Sequence, residues 1–375
     1  MKAKMFRLHS YAALITLLPL LIASLSGSVL VFKSEIDQWL MPDRAALPYG
    51  DPSPSRQNLN TLKNGIEERY PDYVVASWEL FDNGVEADRV YMIKKGSDNW
   101  FKIYLDPFAN QVLSEPTPLH DDLTDWLLEL HYTFLLNDLF SPHSQTGTLI
   151  GIVAAFILIF LGLSGLMIYK KFWRHIFRLR WHKPLRVVSG DFHRLIGLWS
   201  SPLLLVLGIT GLYFNALEYY HETFEHETFE HTEEEHFIIQ HKLYNDAIDL
   251  EFLLRDSEQQ LAGFTPTYLL LPYEPDVQIS VFGHQPDRNP FASDYASSVS
   301  YDRESGQWLA SYSGPQAGAG ARVLDSFREL HFGSFAGLAS KLLWCGLGFA
   351  PALLGLSGLY LWYRRKFTGN RVTFS

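Results

Sequence analysis

"FHRLIGLWSSPLLLVLGITGLYFN", residues 192–215, opens with a histidine and an arginine, and no charge follows between Leu195 and Leu217. About 20 consecutive, mostly apolar residues suffice for a helix to cross a bilayer. The first apolar run of the chain, "LHSYAALITLLPLLIASLSGSVLVF" at residues 8–32, follows the same plan. His9 precedes Gly27 by 18 residues, and His193 precedes Gly211 by the same interval. A plan that recurs at a fixed spacing marks an internal repeat, and a repeat governs how the rest of the chain is read.

Two further runs pass the length test, Thr148 to Tyr169 and Leu342 to Tyr363, and they match each other. They end in "LSGLMIYKKFW" (163–173) and "LSGLYLWYRRKF" (356–367). Ahead of them stand "DWLLELHYTF" (125–134) and "DSFRELHFGS" (325–334), which share Asp, Glu, Leu and His at an offset of 200 residues. "MKAKMFR" before the first run looks like the start of a signal peptide, but the apolar run continues for 25 residues with no A-x-A site, so a retained helix is expected.

Charge orients the spans, because lysine and arginine collect on the cytoplasmic side. Lys2, Lys4 and Arg7 precede the first span, "KKFWRHIFRLRWHKPLR" (170–186) joins the second to the third, and "RRKFTGNR" (364–371) follows the fourth. Residues 33–146 hold 19 Asp and Glu against 9 Lys and Arg, and residues 218–334 hold 21 against 6. The loops with 40 of the 41 acidic residues are therefore placed outside, with both termini in the cytoplasm. The net charge of −10 belongs to that outer face and argues against nucleic acid as a partner. The single cysteine, Cys345, excludes a disulfide framework, a Cys-rich metal site and covalent C-x-x-C-H haem attachment.

Each acidic loop reads as a small α+β module. In the first, a helical pattern "LNTLKNGIEERYP" (59–71) leads into strand-like "YVVASWEL", "DRVYMIKK" and "WFKIYLDPFANQVLSE". In the second, "DVQISVFG" and "SSVSYDRESGQWLASYS" repeat the strand, turn and strand ending, with "YLDPFANQVL" set against "YDRESGQWL". The expected fold is a mainly α membrane protein: a four-helix transmembrane bundle from an internal duplication, carrying two small α+β modules outside. The expected order is transmembrane helix 1 at 8–32, module 1 at 33–146 with a helix at 122–136, and transmembrane helix 2 at 148–169. A basic cytoplasmic loop at 170–194 and helix 3 at 195–217 follow, then a His/Glu-rich helix with module 2 at 218–334, helix 4 at 342–363 and a cytoplasmic tail at 364–375.

The "DPFANQVL" ending, the histidine at the start of the first and third spans, the "ELH" segments and the "SG" or "TG" pair near each span's end together resemble a known family. This is the PepSY-associated transmembrane proteins, which include iron-regulated inner-membrane proteins and ferric-siderophore reductases, and the resemblance covers nearly the whole chain. It implies an oxidoreductase that binds haem and carries electrons across a bacterial inner membrane, with reduction of a ferric siderophore in the periplasm as one assigned role. Some members carry a fused flavoprotein domain that this sequence lacks, so a separate donor is expected, either a flavoprotein or membrane quinol.

Repeat symmetry sorts the 14 histidines, since four of them occupy repeated positions: His9, His131, His193 and His331. In duplicated membrane proteins a site at the repeat interface is built from equivalent residues. Two haem b groups are therefore expected, an inner one on His9 and His193 and an outer one on His131 and His331. Eighteen helical residues rise about 27 Å, which takes Gly27 and Gly211 to the outer layer; Gly165 and Gly358 reach the inner one. Lacking side chains, these glycines leave room for a flat porphyrin face. Arg7 and Arg194 beside the inner histidines, and Arg328 outside, are candidate partners of the haem propionates. The plainer alternative is that the histidines cap or snorkel at helix ends and the glycines serve helix packing.

"HETFEHETFEHTEEEHFIIQH" (221–241) is a second cluster, with a histidine at every fifth residue. A step of five turns a helical side chain by about 140°, so His221, His226, His231, His236 and His241 spiral around the axis. The run reads as a solvated helical extension in which local pairs such as Glu222 and His226 offer a weak metal site. No P-loop, H-E-x-x-H or G-x-S-x-G is present. Two other functions stay open at this point: a haem-free protein that binds peptide or regulates a protease, and a metal-ion transporter that uses the histidines as a relay.

Overall fold

The computed structural model describes residues 2–50, 54–137, 139–140, 144–169, 177, 179–225 and 238–367. The chain opens with helices α1 (Lys2–Ile15), α2 (Leu17–Leu30), α3 (Lys33–Leu40), α4 (Pro42–Ala45) and α5 (Leu59–Arg69). Strands β1 (Tyr73–Glu79), β2 (Asp88–Lys94), β3 (Trp100–Asp106), β4 (Gln111–Val112) and β5 (Thr117–Pro118) follow. Helices α6 (Leu123–Thr133), α7 (Thr146–Ile168) and α8 (Leu185–Tyr220) come next, α8 running into a π turn at His221–Glu225. After α9 (Leu250–Gln260) come β6 (Thr265–Leu270), β7 (Ile279–His284), β8 (Ser297–Tyr301) and β9 (Trp308–Tyr312). The last helices are α10 (Ala319–Phe332), α11 (Gly337–Gly348) and α12 (Ala350–Phe367). The chain divides into two compact units: Met1–Phe32, Leu127–Glu230 and Leu330–Ser375 form the first, and Lys33–Trp126 with His231–Glu329 the second.

The first unit is helical. Among the described residues, three segments are long and apolar enough to cross a membrane: Thr146–Ile168, Leu185–Thr223 and Gly337–Phe367. A fourth is made by α1 and α2 if the 65° bend between them lies within one span. The sequence reading expects that first span to be continuous, and the break has a local cause. Proline lacks an N–H and its ring crowds the carbonyl four residues earlier, which for Pro19 belongs to Ile15, the last residue of α1. Pro351 stands in the same relation to Leu347, at the junction of α11 and α12. There Ser24 of α2 closes the gap, donating to the Gly348 carbonyl at 2.6 Å and accepting from the Ala352 N–H at 3.2 Å. Within this unit α7 packs along α8, α8 against α12, α1 against α7, and α2 against α11 and α12. Small residues allow the approach: a Cβ on Gly208 of α8 would lie 2.8 Å from Ile159 of α7.

The second unit is built on one antiparallel sheet in the order β4-β3-β2-β1-β6-β7-β8-β9, with β5 also on β3. The two loops therefore do not make two separate modules: Trp78 of β1 pairs with Leu269 of β6, and the strands of both loops continue into each other. Joining them removes an exposed edge from each. Helices α5 and α9 share one core with the sheet, in which Leu59, Leu62, Ile66, Trp78, Leu250, Leu253, Leu269 and Val299 are buried. Both helices are capped at the N-terminus, α5 by Asn58 and α9 by Asp249, each accepting from backbone N–H groups of the first turn.

The two strand-turn-strand endings share one turn chemistry. Asp106 accepts from the Phe108 and Ala109 N–H groups, and Asp302 accepts from those of Glu304 and Ser305. The fifth residue has positive φ in both, Asn110 at 53° and Gly306 at 70°. Those are the residue types that tolerate the left-handed region. Elsewhere in this unit Lys102 of β3, only 2% exposed, pairs with Asp122 and Asp125, and Lys33 of α3 pairs with Asp37 and Asp125. Burial pushes the Asp125 carboxyl up, but Lys102 and Lys33 outweigh it and hold it below the usual carboxylate range.

Candidate functional site

The helices of the first unit bring the four repeated histidines together in two pairs. His9 of α1 and His193 of α8 line one cavity of about 340 Å³, together with Gly165 and Gly358. His131 of α6 and His331 of α10 lie side by side with ring centroids 6.2 Å apart and planes at 59°. Phe214 meets His331 edge-on at 5.5 Å.

Each histidine is seated on a hydroxyl of a different helix. The Nδ1 of His9 lies 2.7 Å from Ser164 Oγ, and that of His193 lies 2.9 Å from Ser357 Oγ. The Nδ1 of His131 lies 3.1 Å from Ser26 Oγ and 3.0 Å from the Ala23 carbonyl, and that of His331 lies 2.8 Å from Thr210 Oγ1. In every case the residue after the hydroxyl is one of the four glycines, and that glycine faces the same ring. A Cβ on Gly27 would lie 2.6 Å from His131 Cε1, and one on Gly358 would lie 3.4 Å from His193 Cε1. The corresponding distances are 3.6 Å for Gly211 to His331 and 3.7 Å for Gly165 to His9. Gly27 thus makes room for its imidazole, while Gly165, Gly211 and Gly358 stand at ordinary contact distance from theirs.

A hydroxyl has one hydrogen to donate. Ser26 gives its own to the Ile22 carbonyl at 2.7 Å, Thr210 to Val206 at 2.8 Å, and Ser357 to Leu353 at 2.7 Å. Ser164 bonds back to Leu161 at 3.3 Å. Where that hydrogen goes to the carbonyl, the oxygen accepts from the ring, which makes Nδ1 the N–H and leaves Nε2 its lone pair; the 3.3 Å back-bond of Ser164 commits its hydrogen least. At His131 the Ala23 carbonyl, which cannot donate, requires the same tautomer.

The arginines are distributed less evenly. Arg194 lines the cavity, but its guanidinium already pairs with the buried Asp191 at 2.9 Å and lies over the Tyr169 ring at 5.1 Å. Arg7 is exposed. Arg365, which the sequence reading passes over, lines the cavity and lies over the Phe6 ring at 4.7 Å. Arg328 lies in the second unit, over the Tyr295 ring at 4.4 Å. Of the second histidine cluster, His221 starts the π turn and His241 is exposed, while His226, His231 and His236 lie outside the described residues. Among the described residues no group of three or more His, Cys, Asp or Glu side chains converges.

This donor set suits a metal held between paired neutral imidazoles. Two rings bonded through Nε2 to one metal, each nitrogen about 2 Å from it, have centres roughly 6 Å apart, close to the 6.2 Å between His131 and His331. Histidine ligands characteristically donate the other ring N–H to a fixed acceptor, and all four do so here. The cavity at His9 and His193 is lined mainly by Leu and Gly and falls in the size range of small-molecule sites, about 300–1,000 Å³. The residues lining the His9 and His193 cavity fit haem, and the ring spacing of His131 and His331 fits a metal held between them.

Residues 6–365 match the family described as the PepSY-associated TM region. Over 263 residues the chain is 27% identical to the uncharacterized protein PA4219 of Pseudomonas aeruginosa, a match that covers 64% of each chain. The match thus spans just under two thirds of that relative's length.

Proposed function

The chain belongs to the PepSY-associated TM family of membrane proteins, and from its four seated histidines we propose that it is a dihaem electron-transfer protein of the bacterial inner membrane. The carrying observation is the recurrence, four times, of a histidine whose Nδ1 lies within hydrogen-bond distance of a hydroxyl of another helix. Four spans from an internal duplication carry these sites, α1 with α2 counting as one. Both termini are cytoplasmic and the acidic sheet unit is periplasmic.

Haem b bound at each pair supplies one-electron exchange between ferric and ferrous iron. The chain's own residues do the rest. His9 and His193 hold the group at the cytoplasmic end, and Gly211 stands 18 residues along α8 from His193, about 27 Å of helix, to face the pair at the other end. Leu158, Leu161, Leu204 and Leu354 keep the inner cavity apolar. Arg194, shared with Asp191, and Arg365 line it and would be the residues to meet haem propionates.

A flavoprotein or quinol donates at the cytoplasmic end, and a ferric siderophore accepts in the periplasm, where reduction to Fe(II) loosens the chelate. A negative charge moving outward from a negative interior gains about 2.3 kcal/mol per 100 mV, which favours this direction. The test is direct: protein purified from haem-replete cells is expected to contain two low-spin haems b per chain, with split visible bands on reduction. A colourless protein would overturn the proposal.

A further inference from the structure

Four hydroxyls in this structure have no role in ligation, yet each contacts a different one of the four histidines and nothing in the sequence reading uses them. They lie far from their partners in the chain, with separations of 155 residues for Ser164, 105 for Ser26, 164 for Ser357 and 121 for Thr210. Each sits one residue before the glycine against which the same ring rests. Each also bonds a backbone carbonyl three or four residues back, so its oxygen faces the ring as an acceptor.

We propose that Ser26, Ser164, Thr210 and Ser357 are positioning residues that lock their histidines as the Nδ1–H tautomer and aim Nε2 at the iron, with Gly27 also supplying space for the His131 ring. This rests on the dihaem reading for the identity of the ligand; the tautomer lock itself concerns the polypeptide alone. A neutral imidazole whose Nε2 carries the hydrogen cannot bond a metal through that atom, so the hydroxyl selects the form that binds. Accepting a hydrogen bond from Nδ1–H also raises the basicity of the ligand, which favours ferric over ferrous iron.

The four locks are not equal. His131 has two acceptors, Ser26 and the Ala23 carbonyl. His193 also has a backbone acceptor, the Leu354 carbonyl, beside Ser357. His9 depends on Ser164 alone, whose own back-bond is the longest of the set at 3.3 Å. Among the described residues Ser164 and Thr210 are the sole side-chain or backbone partners of Nδ1 at their rings, and their removal is expected to matter most.

Ser26→Ala, Ser164→Ala, Thr210→Val and Ser357→Ala are compared with the wild type in nanodiscs, with Ser→Thr and Thr210→Ser as rescues. Ser200→Ala is the control, since among the described residues that hydroxyl bonds the Ile196 carbonyl and no histidine. Removal of such an outer partner typically weakens binding 10–100-fold. That loss is expected at the variant's own pair only, most strongly for Ser164→Ala and Thr210→Val. The midpoint potential of the remaining haem at that pair is expected to move positive, and the conservative swap to restore both.

The same variants, prepared free of haem with ¹⁵N-histidine, report the tautomer by chemical shift: Nδ1–H in the wild type, a mixture at His9 in Ser164→Ala and at His331 in Thr210→Val, and Nδ1–H kept at His131 and His193, where a carbonyl acceptor remains. If the wild type binds two haems and the variants match it in affinity and potential, this inference fails and the dihaem reading stands. If the wild type binds no haem, the dihaem reading fails, and the ¹⁵N shifts still decide the lock: Nε2–H in the wild type overturns it.

Discussion

Replacing Gly27 by alanine tests the seating of the histidines with a single methyl group. The new Cβ would stand 2.6 Å from His131 Cε1, 3.1 Å from Nδ1 and 3.5 Å from Nε2. Carbon atoms in contact prefer about 3.5–4.0 Å, so the ring must retreat by close to 1 Å. It cannot do so freely, because Nδ1 is held at 3.1 Å by Ser26 and 3.0 Å by Ala23, both on the helix that carries Gly27. Cε1 is bonded to Nε2, so the ligating atom moves with it. Misplacement of a reacting group by about 1 Å costs on the order of 100-fold, and overpacking of a close-packed site costs about 1–3 kcal/mol.

Haem content by pyridine haemochrome is therefore expected to fall from two per chain to one in Gly27→Ala, with the His9 and His193 pair unchanged. The other glycines supply a graded series. Gly358→Ala, at 3.4 Å from His193 Cε1, is expected to weaken the inner pair slightly, and Gly165→Ala, at 3.7 Å from His9 Cε1, to keep both haems. The reasoning is refuted if Gly27→Ala retains two haems with wild-type midpoint potentials, or if Gly165→Ala is as damaging as Gly27→Ala.

The histidines are expected to fail in pairs: His131→Ala and His331→Ala remove the same spectral component, His9→Ala and His193→Ala the other, as low-temperature difference spectra will show. Lys102→Met leaves Asp122 and Asp125 without their buried cation, and breaking a buried pair costs about 3–5 kcal/mol; hydrogen exchange of β2 and β3 amides in the full chain is expected to rise, and wild-type protection would count against the pairing. The Asp125 carboxyl is held below its unfolded value, about 3.9, so its stabilisation is fully present above that value and is lost as pH falls through the lower folded one. The stability gap between wild type and Asp125→Asn is accordingly expected to stay constant above about pH 5 and to close below about pH 4; a gap that widens on acidification would show the sign to be wrong.

Much of this molecule is legible locally. The apolar runs, the 18-residue interval from His9 to Gly27 and from His193 to Gly211, and the alternation in "DRVYMIKK" each reflect a periodicity that a short window of sequence contains. The bend at Thr16 was also within reach, since Pro19 announces it four residues on from Ile15. The helix at Leu250–Gln260 carries a signal as well, in the Asp249 cap ahead of an amphipathic run.

The residues that seat the histidines were visible only in part. The glycines of the "SG" and "TG" pairs stand out by recurrence, but the hydroxyls beside them look like ordinary membrane serines and threonines until their partners, more than 100 residues away, are known. The sequence by itself determined the helices, the strands, the repeated histidines and the glycines. Only the tertiary structure decided that the two acidic loops share a single sheet through β1 and β6, that each glycine faces an imidazole, and which hydroxyl each imidazole meets. The physical reason is the same in all three: helix and strand periodicity are properties of neighbours along the chain, whereas strand partner, ring contact and hydroxyl partner depend on atoms brought close by folding.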